Sequence, residues 1–158
     1  LLLDASVFPA GWGANPPFEI PGPIVGRVKE RKRVARTFYG HTTGANQRVY
    51  GYKDQAEASE AFQRWLGRSF SSDGFISAWE TPVELQFNSS YANQFCVACA
   101  VNINNYVCLA LGQYREYIIR LYVPMQPRTN VTYADLVRIL QALEEHVASS
   151  LQLDPHRP

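Results

Sequence analysis

Three cysteines, Cys96, Cys99 and Cys108, offer the most distinctive chemistry in this chain. They lie within Phe95 to Val123, where two strongly apolar, strand-like segments meet at Asn102-Ile103-Asn104-Asn105. Cys96-Val97-Ala98-Cys99 has the C-x-x-C spacing of a redox dithiol. Such a pair needs a helix N-terminus to lower its thiol pKa. In a strand, residues three apart point to opposite faces, so this pair is not arranged for exchange chemistry. A zinc site needs further ligands at matching spacing, and no histidine or acid lies near in sequence. What remains is structural sulfur. Three single bridges are open, Cys96–Cys99, Cys96–Cys108 and Cys99–Cys108, and so is a core holding three thiols as small hydrophobes. A four-residue loop at 102–105 sets Cys99 opposite Cys108 across a hairpin, with β-carbons about 4.5–5.5 Å apart. A bridge there would add about 2–3 kcal/mol and leave Cys96 as the spare thiol. It would also point to an oxidising, extracytoplasmic compartment.

The rest of the catalytic inventory is thin. His41, His146 and His156 do not pair at helical metal-ligand spacing. His41 sits in a turn beside Thr42 and Thr43. It reads as an exposed turn residue, with a small hydrolase built on His41 and a nearby hydroxyl as the alternative. G-x-S-x-G, P-loop and G-x-G-x-x-G motifs are absent. The acids are scattered: Glu80 and Glu84 flank a strand start, and Glu144 and Glu145 share a helix. No catalytic residue, metal ligand or cofactor is therefore assigned. The binding candidates are aromatic. Tyr50 and Tyr52 share one strand face, and with Trp79 or Trp12 they would form a groove; the alternative is that these rings cover core edges. Asn88-Ser89-Ser90 and Asn130-Val131-Thr132 fit the N-glycosylation pattern.

The elements that position these residues can be read from periodicity. Residues 1–26 form a proline-rich arm with Phe8, Trp12 and Phe18 as anchors. Arg27 to Arg36 is basic, with Glu30 its single acid, and reads as the solvated lead-in of a strand. Strand pattern from Val34 to Tyr39, a turn, and a return over Arg48 to Lys53 make a hairpin. Asp54 caps a helix with Glu57 three residues on, Ala58, Ala61, Phe62, Trp65 and Leu66 form its apolar stripe, and Gly67 is its expected stop. Alternation at Val83, Leu85 and Phe87 predicts a half-buried strand after Pro82. Phe95–Val101 and Tyr106–Leu111 are apolar enough for central strands covered on both faces, and Tyr117 to Val123 is a last strand. Thr132 caps a final helix with its stripe at Leu136, Leu140, Leu143 and Val147. The strands from 82 to 123 are too close in sequence for crossover helices and must pair antiparallel. The expected fold is α+β: an antiparallel sheet of about five to six strands with two amphipathic helices packed on it. At 158 residues it is read as one domain, with a core over 27–153 and a frayed tail over 154–158.

Composition limits the partners. A formal charge of +1 gives no reason to expect nucleic acid, and the apolar fraction of 46% is that of a globular chain. No apolar stretch is long enough to span a bilayer. The opening Leu2-Leu3-Asp4-Ala5-Ser6-Val7-Phe8-Pro9-Ala10-Gly11-Trp12, together with Cys99, Cys108, Tyr114 and Tyr117, resembles small exported bacterial lipoproteins. More distantly it is similar to the extracellular sensor domain of mycobacterial PknH-type kinases. That resemblance covers most of the chain in element order. It implies export, a Cys99–Cys108 bridge and a binding or sensing role without catalysis. The partner would be a small ligand or a protein, and a membrane would be met only through an N-terminal lipid anchor. A cytosolic protein-interaction adaptor is the remaining alternative.

Overall fold

The computed structural model describes residues 1–21, 30–40, 43–103, 105–127 and 129–155. His41, Thr42, His156 and the basic residues Arg27 and Lys29 lie outside the described residues, so the hydrolase reading built on His41 finds no geometry here. The fold is α+β, with a seven-stranded antiparallel sheet and two long helices. Among the described residues the strands are β1 (Gly13–Ala14), β2 (Phe18–Glu19), β3 (Lys32–Tyr39), β4 (Gly44–Gly51), β5 (Gln94–Val101), β6 (Tyr106–Tyr114) and β7 (Tyr117–Pro124). The helices are α1 (Gln55–Ser69) and α2 (Tyr133–Leu151). The sheet order is β1-β3-β4-β7-β6-β5, with β2 also pairing on β3.

Register assigns every strand residue to a face, because side chains alternate along a strand. Val49 pairs with Ile119, and Cys108 pairs with both Cys99 and Val123. These residues belong to one apolar core with Val97, Ala110, Tyr114 and Leu121, closed by Leu136, Ile139, Leu140, Leu143 and Val147 of α2. The alternate residues Tyr50, Leu111 and Ile118 form a second core with Tyr52 and with Ala58, Ala61 and Phe62 of α1. The two helices therefore cover opposite faces of one sheet. Both are capped as their sequences predict. Asp54 accepts from the Glu57 N–H, and Thr132 and Asp135 form a reciprocal capping box.

The arm docks where its aromatics direct it. Phe8 stacks on Trp12 and contacts Phe38, and the backbone of the arm adds β1 and β2 to the edge of β3. Phe18 is not an anchor: β2 pairs through its backbone while the ring stays 48% exposed. Three further expectations need correction. Residues 82–88 are not a strand. The Leu85 N–H bonds to the Pro82 carbonyl and the Phe87 N–H to the Leu85 carbonyl, so the backbone turns and leaves Val83 82% exposed. Leu85 alone of the alternating set is fully buried. Helix α1 runs past Gly67 to Ser69, and the Phe70 N–H closes it on the Leu66 carbonyl. Strand β5 ends the sheet order and is not central. Its outer edge is met by no further strand among the described residues but by the irregular segment 75–81, through isolated bridges from Phe75 to Asn102 and from Glu80 to Cys99 and through hydrogen bonds from Ile76 and Ser77 to Val101 and from Thr81 to Val97. Its apolar character comes from burial of both faces, which an edge strand can also have.

Loop 88–93 is held by a buried acid. Glu144 of α2 accepts from the Ser89 hydroxyl, from the Ser90 N–H at 2.8 Å and from the Tyr114 hydroxyl at 3.2 Å. One carboxylate thereby ties a loop, a helix and β6 together.

Candidate functional site

Cys99 and Cys108 face each other in register and are joined by a disulfide, with S–S 1.99 Å and Cα–Cα 4.0 Å. Cys96 is a free thiol on the opposite face of β5, half-buried, with burial pushing its pKa up. Neither the bridge nor this thiol is set up for exchange chemistry.

The four aromatic candidates do not meet in one groove. Tyr50 and Tyr52 are interior residues beneath α1. The Tyr52 hydroxyl accepts from Trp65 Nε1 at 2.9 Å, and the Tyr50 ring lies 4.5 Å from that of Trp65. Trp79 packs on Phe70 and Phe75 and donates to the Ser71 carbonyl at 2.9 Å. Trp12 belongs to the opposite face with Phe8, and its indole donates to Asn130. These rings lie at core edges, on both faces of the sheet.

What lies beside Tyr50 is charged. On the α1 side of the sheet, beyond the cluster under that helix, β4 presents Asn46 and Arg48, and β7 presents Arg120 and Tyr122. Arg48 and Arg120 are direct partners in the β4–β7 register. Like charges directly opposed across a sheet repel, whereas an opposite-charge pair at the same positions would stabilise it. Here neither arginine forms an ion pair with any described residue. Arg48 is exposed, but Arg120 is half-buried between Tyr50, Arg48 and Tyr122. Burial above all pushes the Arg120 guanidinium below its ordinary pKa, and the charge of Arg48 acts the same way. Arg120 nevertheless keeps its charge, because a guanidinium does not lose a proton in a protein.

Two buried polar atoms lie beside the pair. Tyr50 is 1% exposed, and the Arg48 side chain lies within hydrogen-bonding reach of its hydroxyl. Burial raises the Tyr50 pKa, so the group is a neutral phenol. Asn46 Oδ1, one pleat away, has no hydrogen-bond partner among the described residues. Arg33 differs: it lies over the Tyr50 ring at 5.5 Å and is bound to Glu30, with Nε to Oε2 at 3.0 Å. The arrangement is a patch of unbalanced positive charge on a preformed sheet surface.

A concavity of about 460 Å³ lies on the α2 side, lined by Leu1, Leu2, Lys32, Val34, Val49, Gly51 and Tyr117. Lys32 in its lining faces Glu19 at 3.4 Å. It offers apolar surface and no convergent polar set.

Sequence reasoning passed over Arg48 and Arg120. A signal was available at Arg120, which interrupts the run Tyr117-Ile118-Ile119-Arg120-Leu121-Tyr122-Val123. A lone charge in a central strand requires a reason. Its opposition to Arg48 depends on which strands pair, and that is not local information. No known protein-family model, curated protein or solved structure matches this chain.

Proposed function

We propose that this chain is a noncatalytic binding domain that works outside the cytoplasm, its ligand seated on the α1-side sheet face beside that helix. The observation that carries this is Arg120, a half-buried guanidinium opposite a second arginine with no acid among the described residues paired to it. A structural role does not account for it. Burying an unpaired charge costs several kcal/mol, and opposing it with a like charge adds to that cost. Surfaces that carry such a cost are typical of functional sites.

The Cys99–Cys108 disulfide is compatible with an extracytoplasmic location and weighs against the cytosolic adaptor. Export through a lipid anchor is part of the same proposal and rests on the resemblance to small lipoproteins. The absence of a nucleophile–base pair at the patch supports a binding role over a hydrolytic one.

The test is a nitrogen-15 NMR screen of the intact chain against a mixed small-molecule library. Amide shifts concentrated at 46–50 and 118–122 are expected. Ligands that perturb only the cleft at Leu1, Leu2 and Tyr117, or no residues of the sheet, would refute this placement.

A further inference from the structure

We infer that Arg48 and Arg120 form an oxyanion-binding clamp, and that the ligand of this domain carries a phosphate, sulfate or carboxylate group. The inference rests on the reading of this face as the binding surface and adds the chemistry of what binds. Two guanidiniums directly opposed on β4 and β7 present up to ten N–H donors from a rigid platform. Planar forks of this kind match the oxygens of an oxyanion in bidentate fashion. One anion between them would correct two faults together. It would neutralise the half-buried charge of Arg120, which no described carboxylate faces. It would turn a repulsive cross-strand pair into two attractive contacts.

The surroundings set the scale. Helix α1 and its rings close one side of the patch through Tyr50 and Trp65, and Tyr122 lies beside Arg120. The basic group nearest in register, Arg33 opposite Tyr50, is already bound to Glu30 and adds little net charge. One phosphate or sulfate group balances the two guanidiniums, and one carboxylate removes half of the excess charge, which argues for a small ligand over a polyanion.

The experiment compares the intact protein in chloride, phosphate, sulfate and acetate at equal ionic strength, by thermal unfolding and by NMR. Phosphate and sulfate stabilise many proteins by exclusion from their surface, so variants are essential. Wild type should gain several degrees in one oxyanion over chloride, with saturable amide shifts at 46–50 and 118–122. Arg48→Gln should melt no lower than wild type in chloride, since it removes the opposed charge, and should lose the saturable shifts. Arg120→Lys, which keeps charge but loses the fork, should bind at least tenfold more weakly. Saturation by phosphate and sulfate but not acetate assigns a tetrahedral group, and the reverse assigns a carboxylate. Full retention of anion binding in Arg48→Gln would overturn the clamp, as would identical behaviour of wild type in all four salts. Uncharged ligands that perturb the same amides would then keep the face as the binding surface while removing the oxyanion from it.

Discussion

The Tyr114 hydroxyl donates to the Glu144 carboxylate at 3.2 Å, across the boundary between β6 and α2. The same acid accepts from Ser89 and from the Ser90 N–H, so three segments share one buried charge. Gly112 makes room for this contact, because a Cβ there would lie 2.6 Å from the Tyr114 ring. The pair is a mechanical joint between sheet, helix and loop, on the face opposite the arginine patch.

Removing either end of that joint should destabilise the protein. Tyr114→Phe deletes a hydrogen bond to a charged acceptor and is expected to cost about 1.5–3 kcal/mol. Glu144→Ala strands several buried donors at once and should cost more. Urea unfolding followed by circular dichroism measures both. A change below about 0.5 kcal/mol in Tyr114→Phe, the range typical of plain surface substitutions, would show that the contact carries no weight.

The disulfide closes a short loop, with Cys99 and Cys108 nine residues apart. Loop-closure entropy then predicts a loss of about 2–3 kcal/mol in the Cys99→Ala/Cys108→Ala double variant. In unreduced, folded protein, iodoacetamide should label Cys96 alone. Labelling should be slow at neutral pH, because burial pushes that thiol's pKa up and leaves little thiolate. Mass spectrometry showing three labelled cysteines without reductant would remove the bridge and, with it, the support for an oxidising compartment.

Stability should fall at alkaline pH. Burial raises the pKa of Tyr114 and Tyr50 above the ordinary phenol value near 10. For a raised pKa, the unfolded state loses its proton first as pH rises. Full stability is thus present below about pH 10 and declines above it, towards the folded-state pKa. Each such phenol contributes a slope of about 1.4 kcal/mol per pH unit in that window. Tyrosinate absorbance near 295 nm, recorded beside circular dichroism, tests this: ionisation of the buried set should coincide with unfolding. Full ionisation of every tyrosine near pH 10 with the fold intact would contradict it.

Much of the architecture was legible in local patterns because those patterns are cheap to satisfy nearby. Asp54 and Thr132 start helices with partners three residues away, and the loop at 102–105 fixes the register that joins Cys99 to Cys108. The stripes on both helices needed only a 3.6-residue period. Residues 82–88 misled for the same reason. Alternation at Val83, Leu85 and Phe87 mimics a strand, but no neighbouring strand was there to pair with it, and Leu85 found its burial from a turn.

The binding face belongs to another level. Arg48 and Arg120 stand 72 positions apart in the chain, and α1, β5 and β6 lie between β4 and β7 in sequence. Nothing within a window of neighbours announces that two cations will oppose each other, or that Tyr50 will end beneath a helix. Local sequence chose the elements, the caps and the sulfur bridge, because those energies act between residues close along the chain. Strand order across the sheet created the electrostatic imbalance, because like-charge opposition is a property of paired strands and not of either strand alone.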